Sequence, residues 1–326
     1  MIITRTPLRI SFVGGGTDFK DFYRCQPGMV VSTAINKYMY VVVHKRFEGN
    51  IRLSYTRMET VNHIDEIQHE LIREAMKLSG VDAGIEINTV SDVPGWGTGL
   101  GSSSSLTVGV LNALHAFKGE YKSPEELAKE ACQIEIDILG EPIGKQDQYI
   151  AAYGGLKAFT FQRDEEVLVE EIPINEEQKI SFNSNLLLFY TGKTRKAQAI
   201  LAKQKTNIEE KMEALVRMRD LAKAAKKSLI SAQFDAVGRM LHKNWLEKKQ
   251  LAEGISDEEI DYYYQKALDN GALGGKICGA GGGGFLLLYC EKKYQDKVRQ
   301  ALVDLKETPF RLESQGSEVI YHDKNI

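Results

Sequence analysis

The stretch Gly97-Thr98-Gly99-Leu100-Gly101, followed at once by Ser102 to Ser105 and then by an apolar-periodic segment, constrains this chain more than any other feature. Leu106, Val110, Leu111, Leu114 and Phe117 recur at helical spacing, so residues 101–118 read as a helix with a buried stripe. Residues 84–90 (GIEINTV) read as the strand before it. A glycine loop therefore joins a strand to a helix N-terminus, where unpaired N–H groups and about half a unit of positive charge are presented. Glycines spaced by two let backbone wrap an anion, and the serines add hydroxyls. The natural ligand is a phosphate. The loop holds no Lys, so the missing positive charge points to Mg2+.

Two commoner phosphate motifs are excluded. A Walker A loop needs G-x-x-x-x-G-K-[ST], and Gly192-Lys193-Thr194 has Leu187 where the first glycine belongs. A dinucleotide fingerprint needs G-x-G-x-x-G, whereas Gly97, Gly99 and Gly101 alternate.

At 326 residues the chain suits two domains or one large one, and 43% hydrophobic with 27% charged residues is globular. A net charge of −3 removes the basic field expected of a nucleic-acid binder. Residues 193–227 carry eleven Lys or Arg against four acids, but Leu201, Leu215, Met218 and Leu221 thread them at core spacing, so this is a solvated helix face. Cys25, Cys132, Cys278 and Cys290 are scattered, as expected of buried or free thiols in a reducing compartment, and the six His form no metal cluster. Arg5 and Arg9 interrupt the N-terminal segment where a signal peptide would be apolar. FLLLYC (285–290) is too short for a bilayer, so the expectation is a cytoplasmic protein without membrane contact.

The first 60 residues read as several strands, 64–79 as a helix, and Ser123-Pro124-Glu125-Glu126 as the capped start of another running to Leu139. Strands at 156–161, 167–171 and 186–191 precede a long helical region, 194–253. The change of texture places a domain boundary near 175, dividing 1–175 from 176–326. Residues 276–322 read as strand, glycine loop, strand, helix, strand, strand. The fold class is α+β.

Two further glycine-rich stretches, TPLRISFVGGGTDF (6–19) and GGKICGAGGGGFLLLY (274–289), carry consecutive glycines whose entropic cost implies close backbone approach. In order, strand-GGGTD, GLGSSSS-helix and GAGGGGF-strand resemble the galacto-, homoserine, mevalonate and phosphomevalonate (GHMP) kinase superfamily over nearly the whole length. The resemblance implies an N-terminal domain of the ribosomal S5 type and a C-terminal ferredoxin-like domain. The central loop matches the family pattern P-x-G-x-G-L-G-S-S from Gly97 onward, with Trp96 where a second Pro is frequent.

The resemblance also assigns residues. ATP is gripped by Gly97, Gly99, Leu100, Gly101, Ser102, Ser103 and Ser104, and Mg2+ by Ser103 with Glu135 of ACQIEIDILG. GKQDQYIAAYGG resembles the catalytic segment of the galactokinase-like branch, which makes Asp147 the carboxylate that accepts or orients the proton of the attacking sugar hydroxyl. Arg9 matches the basic position beside it, where it stabilises the carboxylate and charge on the transferring phosphoryl group. Asp18, assisted by Thr17 and flanked by Gly15 and Gly16, matches the sugar-hydroxyl acceptor. Residues 279–284, Gly281 and Gly282 among them, are expected to line the site from the second domain.

Galactokinases carry G-E-H-T-D and fucokinases G-G-W-[ST]-D where this chain has Gly14-Gly15-Gly16-Thr17-Asp18, followed by Phe19, Phe22 and Tyr23. This form resembles the branch acting on a phosphorylated heptose. The implied reaction is ATP-dependent phosphorylation of the C1 hydroxyl of D-glycero-D-manno-heptose 7-phosphate to the 1,7-bisphosphate, toward nucleotide-activated heptose for surface polysaccharide. Lys37, Lys145, Lys193, Arg195 and Lys276 are candidates for the 7-phosphate. The alternatives are a fucokinase- or galactokinase-like sugar 1-kinase and a non-catalytic sugar or nucleotide sensor. The partners are small molecules, and a homodimer is a compatible assembly.

Overall fold

The structure, a computed structural model, describes residues 1–94, 97–193 and 197–323. The β-branched residues of the first 60 positions form an antiparallel pair, Ile2–Val13 and Gly28–Lys45, in the middle of a nine-stranded sheet. The second strand is long enough to take two more neighbours end to end. Gly28 to Thr33 pair with Leu156–Phe161, and Met39 to Lys45 pair with Ile85–Ser91. Register between the first two strands shifts at Pro7 and Leu8, where proline has no ladder N–H to give. Just beyond that irregularity the Arg9 N–H donates to the Leu100 carbonyl at 2.9 Å, tying the first strand to the glycine loop.

One face of this sheet is covered by the helices Glu70–Ser79, Ser102–Phe117, Pro124–Cys132 and Gln146–Tyr153, around a core that includes Val41, Ile87, Val110, Leu111, Leu114 and Ile150. Leu8, Ile10 and Phe12 point the other way, into a core shared with a second sheet. That sheet is antiparallel, ordered Lys306–Glu307, Leu186–Tyr190, Phe285–Cys290, Ala272–Ile277. Its strand FLLLYC is apolar throughout because both faces are covered. Phe285, Leu287 and Tyr289 enter the shared core, whereas Leu286, Leu288 and Cys290 enter a third one with Trp245, Ile260 and Val298.

Three features depart from the sequence expectation. Glu318–His322 pairs with Ile2 to Arg5, and Leu312–Glu313 pairs with Ala34 and Ile35, so the tail assigned to the second half completes the first sheet. The Ser123 capping box forms as expected, but its α-helix ends at Cys132 and continues as a wider π-helical turn, Gln133–Ile138. Such insertions re-aim side chains, and this one carries Glu135. The helix Gln146–Tyr153 lacks the periodicity that would announce it.

The four cysteines are free thiols, Cys25 exposed and the others buried. Among the described residues no helix is long and apolar enough to cross a membrane.

Candidate active site

The glycine loops meet at a cavity of about 790 Å³. At its floor Arg9, 4% exposed, forms a two-pronged pair with Asp147. Nε donates to Oδ1 at 2.7 Å and Nη2 to Oδ2 at 2.6 Å, while Nη1 donates to the Gly99 carbonyl at 2.5 Å. One planar guanidinium thus fixes both a carboxylate and the glycine loop. Asp147 sits in the first turn of Gln146–Tyr153, its side chain 24% exposed and on the cavity wall.

The loop glycines serve close approach. Gly101 has φ +76°, and a Cβ there would lie 3.1 Å from Arg9 Cγ and 3.3 Å from Asp147 Oδ2. A Cβ on Gly99, also at φ +76°, would lie 2.3 Å from the Cys278 carbonyl oxygen. Gly97, Gly99, Gly101, Ser102, Ser103 and Ser104 all line the cavity, whereas Leu100 is buried in the shared core. The serines divide their work. Ser105 Oγ donates to the Pro7 carbonyl at 2.9 Å, Ser104 Oγ to Glu135 Oε2 at 2.8 Å, and Ser102 Oγ lies 3.3 Å from Thr98 Oγ1. Ser103 alone of the four is exposed.

Glu135 is 1% exposed. Its carboxylate accepts from Ser104, from Thr107 Oγ1 at 3.1 Å and from Gln148 Nε2. Burial nevertheless pushes its pKa up to about 7, because those hydrogen bonds only partly offset desolvation. Among the described residues no group of three or more His, Cys, Asp or Glu surrounds a metal site. One carboxylate and a hydroxyl, with phosphate oxygens completing the shell, is the donor set that Mg2+ ordinarily takes. Ser103 and Glu135 both line the cavity and supply groups of that kind, and the serine hydroxyl bonded to the Glu135 carboxylate is that of Ser104.

Across the floor lies Asp18, 2% exposed. Its Oδ1 accepts the Gly16 N–H at 2.8 Å, and its Oδ2 accepts the Gln146 N–H at 3.3 Å and Nε2 at 3.1 Å. Burial raises its pKa above the usual carboxylate range, backbone donors oppose the rise and the Asp147 charge adds to it. Gly15 and Gly16 line the cavity. Thr17 does not: its hydroxyl lies 2.8 Å from the Gly14 carbonyl and 3.0 Å from that of Met29, and accepts the Met29 N–H at 3.0 Å. It pins the glycine loop to the second strand.

Gly281 and Gly282 also lie apart from the cavity wall. A Cβ on Gly281 would meet the Ile255 backbone at 2.6 Å, and the Gly282 N–H donates to the Ile255 carbonyl at 2.8 Å. The third loop contributes Gly279 and Ala280 instead. None of the described candidates for a substrate phosphate lines the cavity either. Lys145 pairs with Glu165 at 2.7 Å, Lys193 pairs with Asp257 at 2.9 Å and Glu259 at 2.5 Å, and Lys276 donates to the Ser11 and Phe12 carbonyls at 2.8 and 3.3 Å. Lys37 sits on the second strand, and Arg195 and Trp96 lie outside the described residues.

Several cavity residues escaped the sequence reading. Among the described residues Ser11 Oγ and Gln146 Oε1 are buried polar atoms without a hydrogen-bond partner. Lys248 is a buried cation on the wall. Further along the cavity Tyr55 meets His69 edge-on, with ring centroids 4.8 Å apart, beside Arg57 and Leu71. Burial lowers the His69 pKa, and among the described residues its Nδ1 has no hydrogen-bond partner.

Comparisons with known proteins place the chain in a family. Residues 62–155 match the GHMP kinases N terminal domain and residues 209–307 the GHMP kinases C terminal domain. The chain is similar to the D-glycero-alpha-D-manno-heptose 7-phosphate kinase of Campylobacter jejuni, 33% identical over 90% of this chain and 91% of the relative. It is 25% identical to the galactokinase of Pyrococcus furiosus, over 93% of this chain and 92% of that one. The fold matches that of a D-glycero-D-manno-heptose 1-phosphate kinase from Bacteroides thetaiotaomicron with a TM-score of 0.81, covering 99% of this chain and 100% of the other at 24% identity. The protein belongs to the GHMP kinases and has their N- and C-terminal domains in a mixed helix and strand fold.

Proposed function

We propose that this kinase transfers the terminal phosphoryl group of ATP to the C1 hydroxyl of D-glycero-D-manno-heptose 7-phosphate, giving the 1,7-bisphosphate and ADP. The observation that carries the chemistry is the Arg9–Asp147 fork beneath Gly101 and beside Asp18. The similarity to a heptose 7-phosphate kinase supports the substrate.

The hydroxyl oxygen bonds to the γ-phosphorus, the bond to the β,γ-bridging oxygen breaks, and the hydroxyl proton passes to Asp147. Asp147 is exposed enough to receive it, and Arg9 holds the carboxylate in one orientation. Asp18, Ser11 and Gln146 present acceptors and donors to the sugar hydroxyls. The backbone amides opening Ser102–Phe117 take the phosphates, and the Tyr55–His69 end offers the base an aromatic surface. Ser103 and Glu135 would hold Mg2+, which would supply charge neutralisation for the triphosphate.

The test is an ADP-release assay with heptose 7-phosphate, the unphosphorylated heptose, galactose and fucose, the product being located by 31P NMR. Turnover of heptose 7-phosphate with a new signal at C1 is expected. Turnover of galactose or fucose with the heptose phosphate ignored would overturn the substrate. Background ADP release across the panel would favour a non-catalytic binder.

A further inference from the structure

The helix Phe234–Lys249 turns Leu241, Asn244, Trp245 and Lys248 to one side, spaced by three and four residues. Leu241, Asn244 and Trp245 are fully buried and Lys248 is 4% exposed. A packing stripe would call for an apolar residue at the last of these positions. The fold instead spends a lysine there and brings it to the cavity wall.

The partners of Lys248 are unusual for a buried cation. Neighbouring cations find carboxylates: Lys249 reaches Asp261 at 3.0 Å and Lys193 reaches Asp257 at 2.9 Å. Lys276, buried beside the first strand, satisfies itself with the carbonyls of Ser11 and Phe12, away from the cavity. Among the described residues Lys248 Nζ donates to one acceptor, the Gly279 carbonyl, and no carboxylate lies within ion-pair range. An ammonium has three N–H groups, so the remaining donors have room for a ligand. Gly279 in turn rests on Gly99, where its Cβ would come within 2.5 Å of the Gly99 Cα. Arg9 donates to the Gly99 carbonyl. Two cations, one from each half of the chain, are therefore fastened to the meeting edges of the two glycine loops.

We infer that Lys248 is a phosphate-binding residue of this cavity, its ammonium donating to oxygens of either the nucleotide's terminal phosphate or the phosphate already carried by the acceptor sugar. Burial, with Arg9 nearby, lowers its pKa to about 8, and an anion at the wall favours the charged form. The acceptor source rests on the sugar-phosphate reading given above, whereas the nucleotide source needs only that the protein binds ATP.

Calorimetry on the full chain separates the two. Dissociation constants are measured for Mg-ADP and Mg-AMP-PNP, and, with Mg-AMP-PNP bound, for heptose 7-phosphate and the unphosphorylated heptose. Lys248→Met is expected to weaken one phosphate-bearing ligand by about tenfold or more while its partner lacking that phosphate changes by less than about threefold. Loss confined to AMP-PNP assigns the terminal phosphate, and loss confined to heptose 7-phosphate assigns the acceptor. Lys248→Arg should recover part of the affinity. Lys248→Gln, which keeps a donor for Gly279, replaces the methionine variant if that one fails to fold. All four constants unchanged in a folded Lys248→Met or Lys248→Gln protein would overturn the inference, even if heptose 7-phosphate proves to be the wrong sugar.

Discussion

Replacing Asp147 by Asn separates the chemical role of the carboxylate from its role in the fold. Asn offers one acceptor to a fork that uses two, and turns an N–H group toward Arg9 Nε or Nη2, both of which are donors. The guanidinium, whose side chain is 5% exposed, then keeps its charge without a counter-charge. Breaking a buried pair costs about 3–5 kcal/mol. Asp147 is 24% exposed and water reaches it, so about 1–3 kcal/mol of lost stability is expected. The chemical loss is larger. A general base contributes about 10²- to 10⁴-fold, equivalent to about 2.7–5.5 kcal/mol of activation free energy.

The assay pairs kcat from ADP release with urea denaturation and Mg-ATP affinity. Asp147→Asn should lose about 10²- to 10⁴-fold in kcat and keep Mg-ATP affinity within about threefold, because the proposed triphosphate grip is the cavity-lining loop at 97–104. Arg9→Met combined with Asp147→Asn removes both members of the pair. The double variant should regain part of the stability lost in Asp147→Asn but none of the activity. Turnover within about threefold of wild type in the single variant would refute base catalysis by Asp147, and strictly additive stability losses would refute the structural half of the reasoning.

Gly101→Ala should cost about 1–2 kcal/mol in urea unfolding, from its left-handed φ of +76°, and should lower kcat because the new Cβ presses on Arg9 Cγ and Asp147 Oδ2. Glu135→Gln keeps one acceptor oxygen for Ser104 and Gln148 and turns its NH2 toward the Thr107 hydroxyl, which can accept it while donating to the Ser103 carbonyl, so the protein should fold while calorimetry finds the same ATP affinity with Mg2+ as with EDTA. His115, at the end of Ser102–Phe117, has its pKa raised above the ordinary value chiefly by its hydrogen bond to Glu130, with Glu120 assisting and burial opposing. Its stabilisation is complete below about pH 6.5 and is lost as pH rises through the raised folded-state value, so the stability gap between wild type and His115→Gln should shrink between pH 6 and pH 9 in urea unfolding.

Features written locally in the chain were legible from the sequence. Gly97 to Ser105 stand consecutively before an apolar stripe, and the loop forms at the start of Ser102–Phe117 as that order implies. Arg9 and Asp147 stand far apart in sequence, and only the family resemblance joined them before the geometry did. What escaped depends on long-range pairing. The strand Glu318–His322 shows no sign of belonging beside Ile2, because register with a partner more than 300 residues away leaves no local trace. Lys276 was one of five basic candidates that the sequence does not rank for a substrate phosphate, whereas its ammonium binds the first strand's carbonyls. Lys248 was hidden for the opposite reason: Lys243 and Lys249 make the segment look solvated, and only its phase with Leu241 and Trp245 sets it apart.

The division of the third glycine loop follows from the same physics. Gly281 is glycine because Ile255 backbone presses on it, as Gly99 is glycine because Cys278 does, and Gly282 because its φ of +74° lies in the left-handed region. Consecutive glycines therefore mark where two stretches of backbone touch, and a ligand is only one of the things that touch them. The chemistry collects where such contacts join the halves of the chain: Arg9 comes from the first strand, Glu135 from the π-helical turn, Asp147 from the following helix and Lys248 from the second half. Burial pushes Glu135 and Asp18 up and Lys248 down, each toward its neutral form. A magnesium triphosphate brings both signs of charge at once, so one substrate can hold carboxylates and ammonium alike in the ionised states that positioning and phosphoryl transfer require.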